Sequence, residues 1–189
     1  MSLANQLTMA RILMALAMFF ALMHARASWH IAALALYVAA LVTDWVDGYV
    51  ARRTNTISAF GKVADPIADK ILVLGALIAL IKNRELDIPL WGVFLILARE
   101  LLMGGVRTLG AMQGKVMAAE RWGKWKMGVQ SVAVLLMLAI LVAMETVPRA
   151  PLWLERLPYH LTVLCVIVTW ASAYLYYRQS RRMIESSWS

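Results

Sequence analysis

Cysteine is almost absent from this chain. There is one, Cys165, in 189 residues, so no disulfide framework can form, and its position in an apolar run marks it as a buried packing residue. Charge is also scarce: 16% of residues are charged and 62% are hydrophobic, which excludes an ordinary soluble domain. Histidine occurs only at His24, His30 and His160, all on the side opposite the acidic stretch described below, and these three are expected at a membrane interface rather than as ligands. Internal repeats, low-complexity tracts and long linkers are missing as well, so residues 1–189 are read as one domain.

Apolar runs are abundant. They fall at Leu7–Met23, Ile31–Val50, Val63–Ile81, Ile88–Met112, Met127–Met144 and Leu161–Tyr177, each close to the roughly 20 residues that a spanning helix needs. The expected fold is therefore an all-α membrane protein of six transmembrane helices. With the N-terminus inside, all but five of the 19 basic residues lie toward the cytoplasmic half, the exceptions being Arg26, Lys82, Arg84, Arg149 and Arg156. The positive-inside rule then places both termini in the cytoplasm. Trp29, Trp91, Trp153 and Trp188, with Tyr176 and Tyr177, sit at segment ends as an aromatic belt would. The net charge of +8 suits attraction to anionic lipid, and no nucleic-acid partner is expected.

The chain is organised around Asp44 to Asp69, where Asp44, Asp47, Asp65 and Asp69 lie between apolar flanks. An ionised side chain at membrane depth costs about 2.5–3.5 kcal/mol on insertion scales, so this group needs about 10 kcal/mol of compensation. Bound cations would supply it. Asp44 and Asp47 are three apart and Asp65 and Asp69 four apart, so on helices each pair projects from one face and forms a two-carboxylate claw. The polar run from Arg53 to Ser58 reads as the turn between two antiparallel helices, which lets the claws face each other. Oxygen donors without nearby His or Cys suit Mg²⁺ or Mn²⁺ rather than zinc. Gly48 and Ala51 are small enough to admit a phosphate to the backbone, and Arg52 is a fork-shaped phosphate partner.

The run Asp44-x-x-Asp47-Gly48-x-x-Ala51-Arg52, followed after eight residues by Gly61-x-x-x-Asp65-x-x-x-Asp69, resembles the complete signature of the CDP-alcohol phosphatidyltransferases. The resemblance implies that Asp44, Asp47, Asp65 and Asp69 hold two divalent ions, that Asp69 also acts as general base, and that Gly48, Ala51, Arg52 and Gly61 hold the CDP part of CDP-diacylglycerol. It also implies a homodimer in the bacterial inner membrane with its active site facing the cytoplasm. Near the N-terminus, Asn5, Leu7, Thr8 and Arg11 resemble the family's N-x-L-T-x-x-R stretch, which lies near the nucleotide and lipid head group. The same region, ending in Ala25-Arg26-Ala27, has the outline of a secretory signal. The polar set favours a retained first helix.

A second group of cations follows. Arg99 and Glu100 interrupt the fourth apolar run, Arg107 lies two turns beyond, and Gly123-Lys124-Trp125-Lys126 opens the fifth. Ionisable residues at such depth line polar cavities, and cations from different helices make a pocket for a small anion. For Arg107, Lys124 and Lys126 simple positive-inside anchoring explains the spacing equally well. The order A-R-E, a later Arg and G-K-x-K resembles the phosphatidylglycerophosphate synthases of the same family, whose acceptor is glycerol 3-phosphate. Met127 departs from that pattern, where Thr is expected. The resulting expectation is transfer of a phosphatidyl group from CDP-diacylglycerol to glycerol 3-phosphate, with Arg99, Arg107, Lys124 and Lys126 holding the acceptor phosphate. Rival readings are another acceptor such as inositol phosphate, serine or phosphatidylglycerol, an intramembrane prenyltransferase, or a cation or proton transporter using the aspartates as its path. The prenyltransferase motifs lack the D-G-x-x-A-R core, and transporters show repeats that are absent here.

Overall fold

The computed structural model describes residues 3–54, 59–83, 85–112, 121–147, 151 and 153–185. The side chains of Asp47, Gly48, Ala51, Arg52 and Lys124 lie outside the described set, as do residues 55–58, where the turn was expected, and Trp188. Among the described residues there are six α-helices and no strand: α1 Leu3–Leu22, α2 Ala27–Thr54, α3 Ala59–Leu80, α4 Leu90–Met112, α5 Arg121–Thr146 and α6 Trp153–Glu185. Each expected run has its helix. The largest difference is at α6, which begins at Trp153 rather than near Leu161 and contains Pro158. Pro158 is the sixth residue of α6, just past the first turn, so its missing N–H removes one bond from the start of the ladder.

Local chemistry sets the ends. α1 closes with tight turns in which the Met23 and His24 amides donate to the Phe20 and Ala21 carbonyls, both at 3.1 Å. α2 is in register from its first turn, with the Trp29 and His30 amides donating to the Arg26 carbonyl at 2.9 and 3.3 Å. Pro89, which cannot donate, precedes α4, and its carbonyl accepts from the Gly92 and Val93 amides at 3.0 and 3.3 Å.

The chain divides into two compact units, one formed by 1–87 with 134–156 and the other by 88–133 with 157–189. In the first, α1 packs against both α2 and α3. Its inward stripe is Thr8, Arg11, Ala15, Met18 and Leu22, all at most 1% exposed. The facing positions are mostly alanine, including Ala33 and Ala40 on α2 and Ala68 and Ala76 on α3. Small residues let helices approach closely, which matters where lipid gives no hydrophobic drive between them. In the second unit, α4 presents Gly92, Val93, Ile96, Arg99 and Glu100, and α6 presents Thr162, Cys165, Thr169 and Ser172. Cys165 is buried, as its setting requires.

Large apolar side chains point outward along these helices, for instance Leu13, Phe20, Phe94, Leu101 and Ile167, each at least 60% exposed. Apolar surface of that extent belongs against lipid. By length and composition, stretches at Asn5–Leu22, Ala27–Val46, Trp125–Thr146 and Trp153–Arg178 are able to cross a membrane. Among the described residues, α3 and α4 hold no such stretch. They are the helices that carry Asp65, Asp69 and Lys70, and Arg99, Glu100 and Arg107, respectively.

Candidate active site

α1 gathers the acidic residues. Thr8 and Arg11 are three apart and share a helix face, and both are completely buried. The Thr8 hydroxyl donates to Asp65 Oδ1 at 2.6 Å. Arg11 Nη2 lies 2.9 Å from Asp44 Oδ1, and Nη1 donates to Asp69 Oδ1 at 3.3 Å. Carboxylates from α2 and α3 thus converge on one guanidinium from α1. A buried cation is tolerated only when paired, and two carboxylates neutralise this one. Asp44 is half-exposed and Asp69 about one-fifth exposed, so the cluster opens outward from a buried base.

Among the described residues, no group of three or more His, Cys, Asp or Glu side chains is assembled to hold a metal. Asp47, the fourth member of the sequence pattern, lies outside that set. The donor chemistry still fits a hard divalent ion: carboxylate oxygens from two helices are already turned toward one cationic position. Asn5 is half-buried one turn before Thr8, and Gly61 is buried near the start of α3. Gly48, Ala51 and Arg52 belong to the last turns of α2, with side chains outside the described set.

The second set of expected residues lies in the other unit and divides in two. Arg99, Glu100 and Lys126 form a buried cluster in which both Arg99 Nη1, at 3.0 Å, and Lys126 Nζ donate to Glu100 Oε1. Arg99 Nη2 donates to the Ser172 hydroxyl at 3.0 Å, and Gln130 Nε2 donates to the Thr169 hydroxyl at 2.9 Å. Arg99 Nε is buried without a hydrogen-bond partner. Arg107, by contrast, is exposed, with its guanidinium 5.9 Å from the Tyr176 ring centroid. Arg99 and Lys126 therefore share one partner, Glu100, while Arg107 lies against Tyr176.

Several participants escaped sequence reasoning. Arg11 was expected near the nucleotide, not as the cation at the centre of the aspartates. Glu100 was noted only as part of A-R-E, and Gln130, Thr169 and Ser172 were not singled out. A signal was present on α6, where Thr162, Cys165, Thr169, Ser172 and Tyr176 recur at helical spacing on a buried face. His30 has a partner that the sequence did not signal: it is 1% exposed and its Nδ1 lies 2.7 Å from Glu145 Oε1.

The fold and site define a multi-pass helical membrane protein whose polar interior is built on an arginine–aspartate centre. The family model described as CDP-alcohol phosphatidyltransferase matches residues 1–175. A Bacillus subtilis protein named CDP-diacylglycerol–glycerol-3-phosphate 3-phosphatidyltransferase is 40% identical over 147 residues, covering 70% of this chain and 74% of its own length. A Rickettsia bellii protein of the same name is 49% identical over 78 residues, 41% of each chain. A chloroplastic and mitochondrial Arabidopsis thaliana protein with that activity in its name is 40% identical over 116 residues, 55% of this chain and 39% of its own length. The chain belongs to the CDP-alcohol phosphatidyltransferase family, and the resemblance carried by Asp44 to Asp69 is borne out.

Proposed function

We propose that this protein transfers the phosphatidyl group of CDP-diacylglycerol to glycerol 3-phosphate, releasing CMP and forming phosphatidylglycerol phosphate. The observation that carries the reading is the convergence of Asp44 and Asp69, from two different helices, on Arg11. The activity printed in the names of its relatives supports the choice of substrates. In this reading the chain is one domain of six membrane-spanning helices in the bacterial inner membrane, with both termini and the active site on the cytoplasmic side, and it works as a homodimer.

Asp44, Asp47, Asp65 and Asp69 would hold two Mg²⁺ or Mn²⁺ ions. Such ions would supply positive charge against the diphosphate and against the negative charge that develops on departing CMP. The chain's own groups do the rest. Asn5, Thr8, Gly48, Ala51, Arg52 and Gly61 hold and orient the CDP-diacylglycerol. The 1-hydroxyl oxygen of glycerol 3-phosphate attacks the phosphorus that bears the diacylglycerol; the new P–O bond forms as the bond to CMP breaks. Asp69 takes the hydroxyl proton. Arg99, Arg107, Lys124 and Lys126 hold the acceptor's phosphate, and the unsatisfied Arg99 Nε is a donor such an oxygen would fill.

The test is CMP release by the purified protein with CDP-diacylglycerol and Mg²⁺, comparing glycerol 3-phosphate, serine and inositol phosphate. Stimulation by glycerol 3-phosphate alone is expected. Stimulation by a different acceptor would keep the family chemistry and replace the acceptor, and no release under any condition would return the aspartates to a transport role.

A further inference from the structure

One face of α6 holds both arginines of α4. Thr169, Ser172 and Tyr176 follow one another at intervals of three and four residues, so their side chains leave the helix on the same side. All three are buried. Arg99 Nη2 donates to the Ser172 hydroxyl at 3.0 Å, and one turn further along α6 the Tyr176 ring centroid lies 5.9 Å from the Arg107 guanidinium. The Thr169 hydroxyl accepts from Gln130 Nε2 at 2.9 Å, and Gln130 stands one turn after Lys126 on α5.

The groups on α6 that hold the two arginines are uncharged. A hydroxyl oxygen accepts a hydrogen bond from a guanidinium, and an aromatic face attracts one, without cancelling its positive charge. A carboxylate in either place would bind the cation more strongly and would neutralise it. Glu100, the carboxylate of this cluster, is shared between Arg99 and Lys126. α6 therefore fixes where the cations of α4 lie and leaves their charge to an anion.

Ser172 has the more exacting position. Arg99 has two hydrogen-bond partners among the described residues: Glu100 is its neighbour in the chain, and Ser172 stands on another helix. Ser172 is thus the group that ties the end of this long side chain to a second helix. An arginine gives up rotamer freedom when it grips an anion, and a guanidinium that is already held gives up less.

We infer that Ser172 is a positioning residue for the acceptor phosphate, acting through Arg99. The inference rests on the function proposed above, in which Arg99 holds the phosphate of glycerol 3-phosphate. Ser172 itself need not touch the substrate; its hydroxyl keeps the guanidinium in the binding geometry.

The experiment is steady-state CMP release by the purified full chain in detergent, varying glycerol 3-phosphate and CDP-diacylglycerol in turn, for the parent, Ser172→Ala and Ser172→Thr. Ser172→Ala should raise the apparent KM for glycerol 3-phosphate by about tenfold, in keeping with loss of a hydrogen bond to a charged group, while that for CDP-diacylglycerol changes by less than about twofold. Ser172→Thr keeps the hydroxyl and should return the glycerol 3-phosphate KM to within about threefold of the parent. The thermal midpoint of each variant reports folding. Should Ser172→Ala fail to fold, Ser172→Cys keeps nearly the same volume with only a weak acceptor, and the same split between the two KM values is expected of it. A parent that glycerol 3-phosphate does not stimulate would overturn the proposed function and this assignment together. A stimulated parent would isolate the assignment: an unchanged glycerol 3-phosphate KM in the folded variant, equal shifts for both substrates, or no rescue by Ser172→Thr would overturn it alone.

Discussion

Arg11, with no exposed surface, lies 2.9 Å from the half-exposed carboxylate of Asp44 on a neighbouring helix. The same guanidinium reaches Asp69 at 3.3 Å on a third helix. One residue of α1 therefore sets the separation of the two helices that supply the acidic cluster. It also supplies positive charge inside a group of carboxylates that would otherwise repel one another.

Replacing Arg11 with Met keeps most of the side-chain volume and removes the charge. Breaking a fully buried ion pair costs about 3–5 kcal/mol, but Asp44 is half-exposed and water recovers part of that, so a loss of about 1–3 kcal/mol is expected. At about 2–4 °C per kcal/mol for a chain of this size, the thermal midpoint should fall by several degrees. Added Mg²⁺ should restore more stability to Arg11→Met than to the parent, since the carboxylates are then left facing one another. An unchanged midpoint, indifferent to Mg²⁺, would show that Arg11 does not hold the cluster.

Asp65 differs from its neighbours in being held by a neutral donor, the hydroxyl of Thr8 at 2.6 Å. Asp65→Ala should lower CMP release by about 100-fold or more while the protein stays folded, in keeping with loss of a group that stabilises transition-state charge. Thr8→Val keeps the shape and removes only the donor. Supporting partners of a metal-holding carboxylate are worth about 10–100-fold, so Thr8→Val should raise the Mg²⁺ concentration for half-maximal rate without abolishing turnover. Full activity in Asp65→Ala would remove it from the metal set.

Much of this was legible from spacing alone. The helix count followed from run length, and the acidic pairs from intervals of three and four residues, because both are properties of a single helix. What a single helix cannot reveal is which neighbour completes it. Arg11 precedes Asp69 by 58 positions and meets it only because α1 packs on α3. The pairing of His30 with Glu145 spans 115 positions and gave no local signal at all. Glu100 was visible as a charge in an apolar run, but its role as shared partner of Arg99 and Lys126 depends on how α5 packs against α4.

Packing in the second unit makes a sharp prediction at two glycines of α4. A Cβ at Gly92 would come within 2.7 Å of Thr162 Cγ2 and 3.4 Å of Pro89 Cγ. Thr162 is completely buried and its hydroxyl donates to the Pro158 carbonyl at 2.8 Å, so it has little room to turn away. Gly92→Ala should cost about 1–3 kcal/mol by overpacking. Gly105, on the same helix, has nothing within 4 Å of the corresponding position, and Gly105→Ala should be neutral or stabilising by up to about 1 kcal/mol from helix propensity. Thermal midpoints of the two variants in the same detergent check this, and a larger loss at Gly105 than at Gly92 would contradict the close approach of α4 and α6.

Lys126 is buried with its ammonium on Glu100, and the same carboxylate oxygen receives Arg99. Two cations on one carboxylate leave net positive charge in an enclosed place, and an anionic substrate group is what that excess would hold. If Lys126 contacts the acceptor phosphate, Lys126→Met should raise the apparent KM for glycerol 3-phosphate by about 10–100-fold, the worth of a hydrogen bond to a charged group, while that for CDP-diacylglycerol changes little. Glu100→Gln separates this role from a structural one. It removes the competing negative charge but keeps the shape, so it should leave the glycerol 3-phosphate KM unchanged or lower it. A purely structural cluster would respond differently: both variants would lose stability, and KM would shift alike for the two substrates. Steady-state kinetics on the two variants, with each substrate varied in turn, therefore decide whether Lys126 holds the acceptor or only braces α5 against α4.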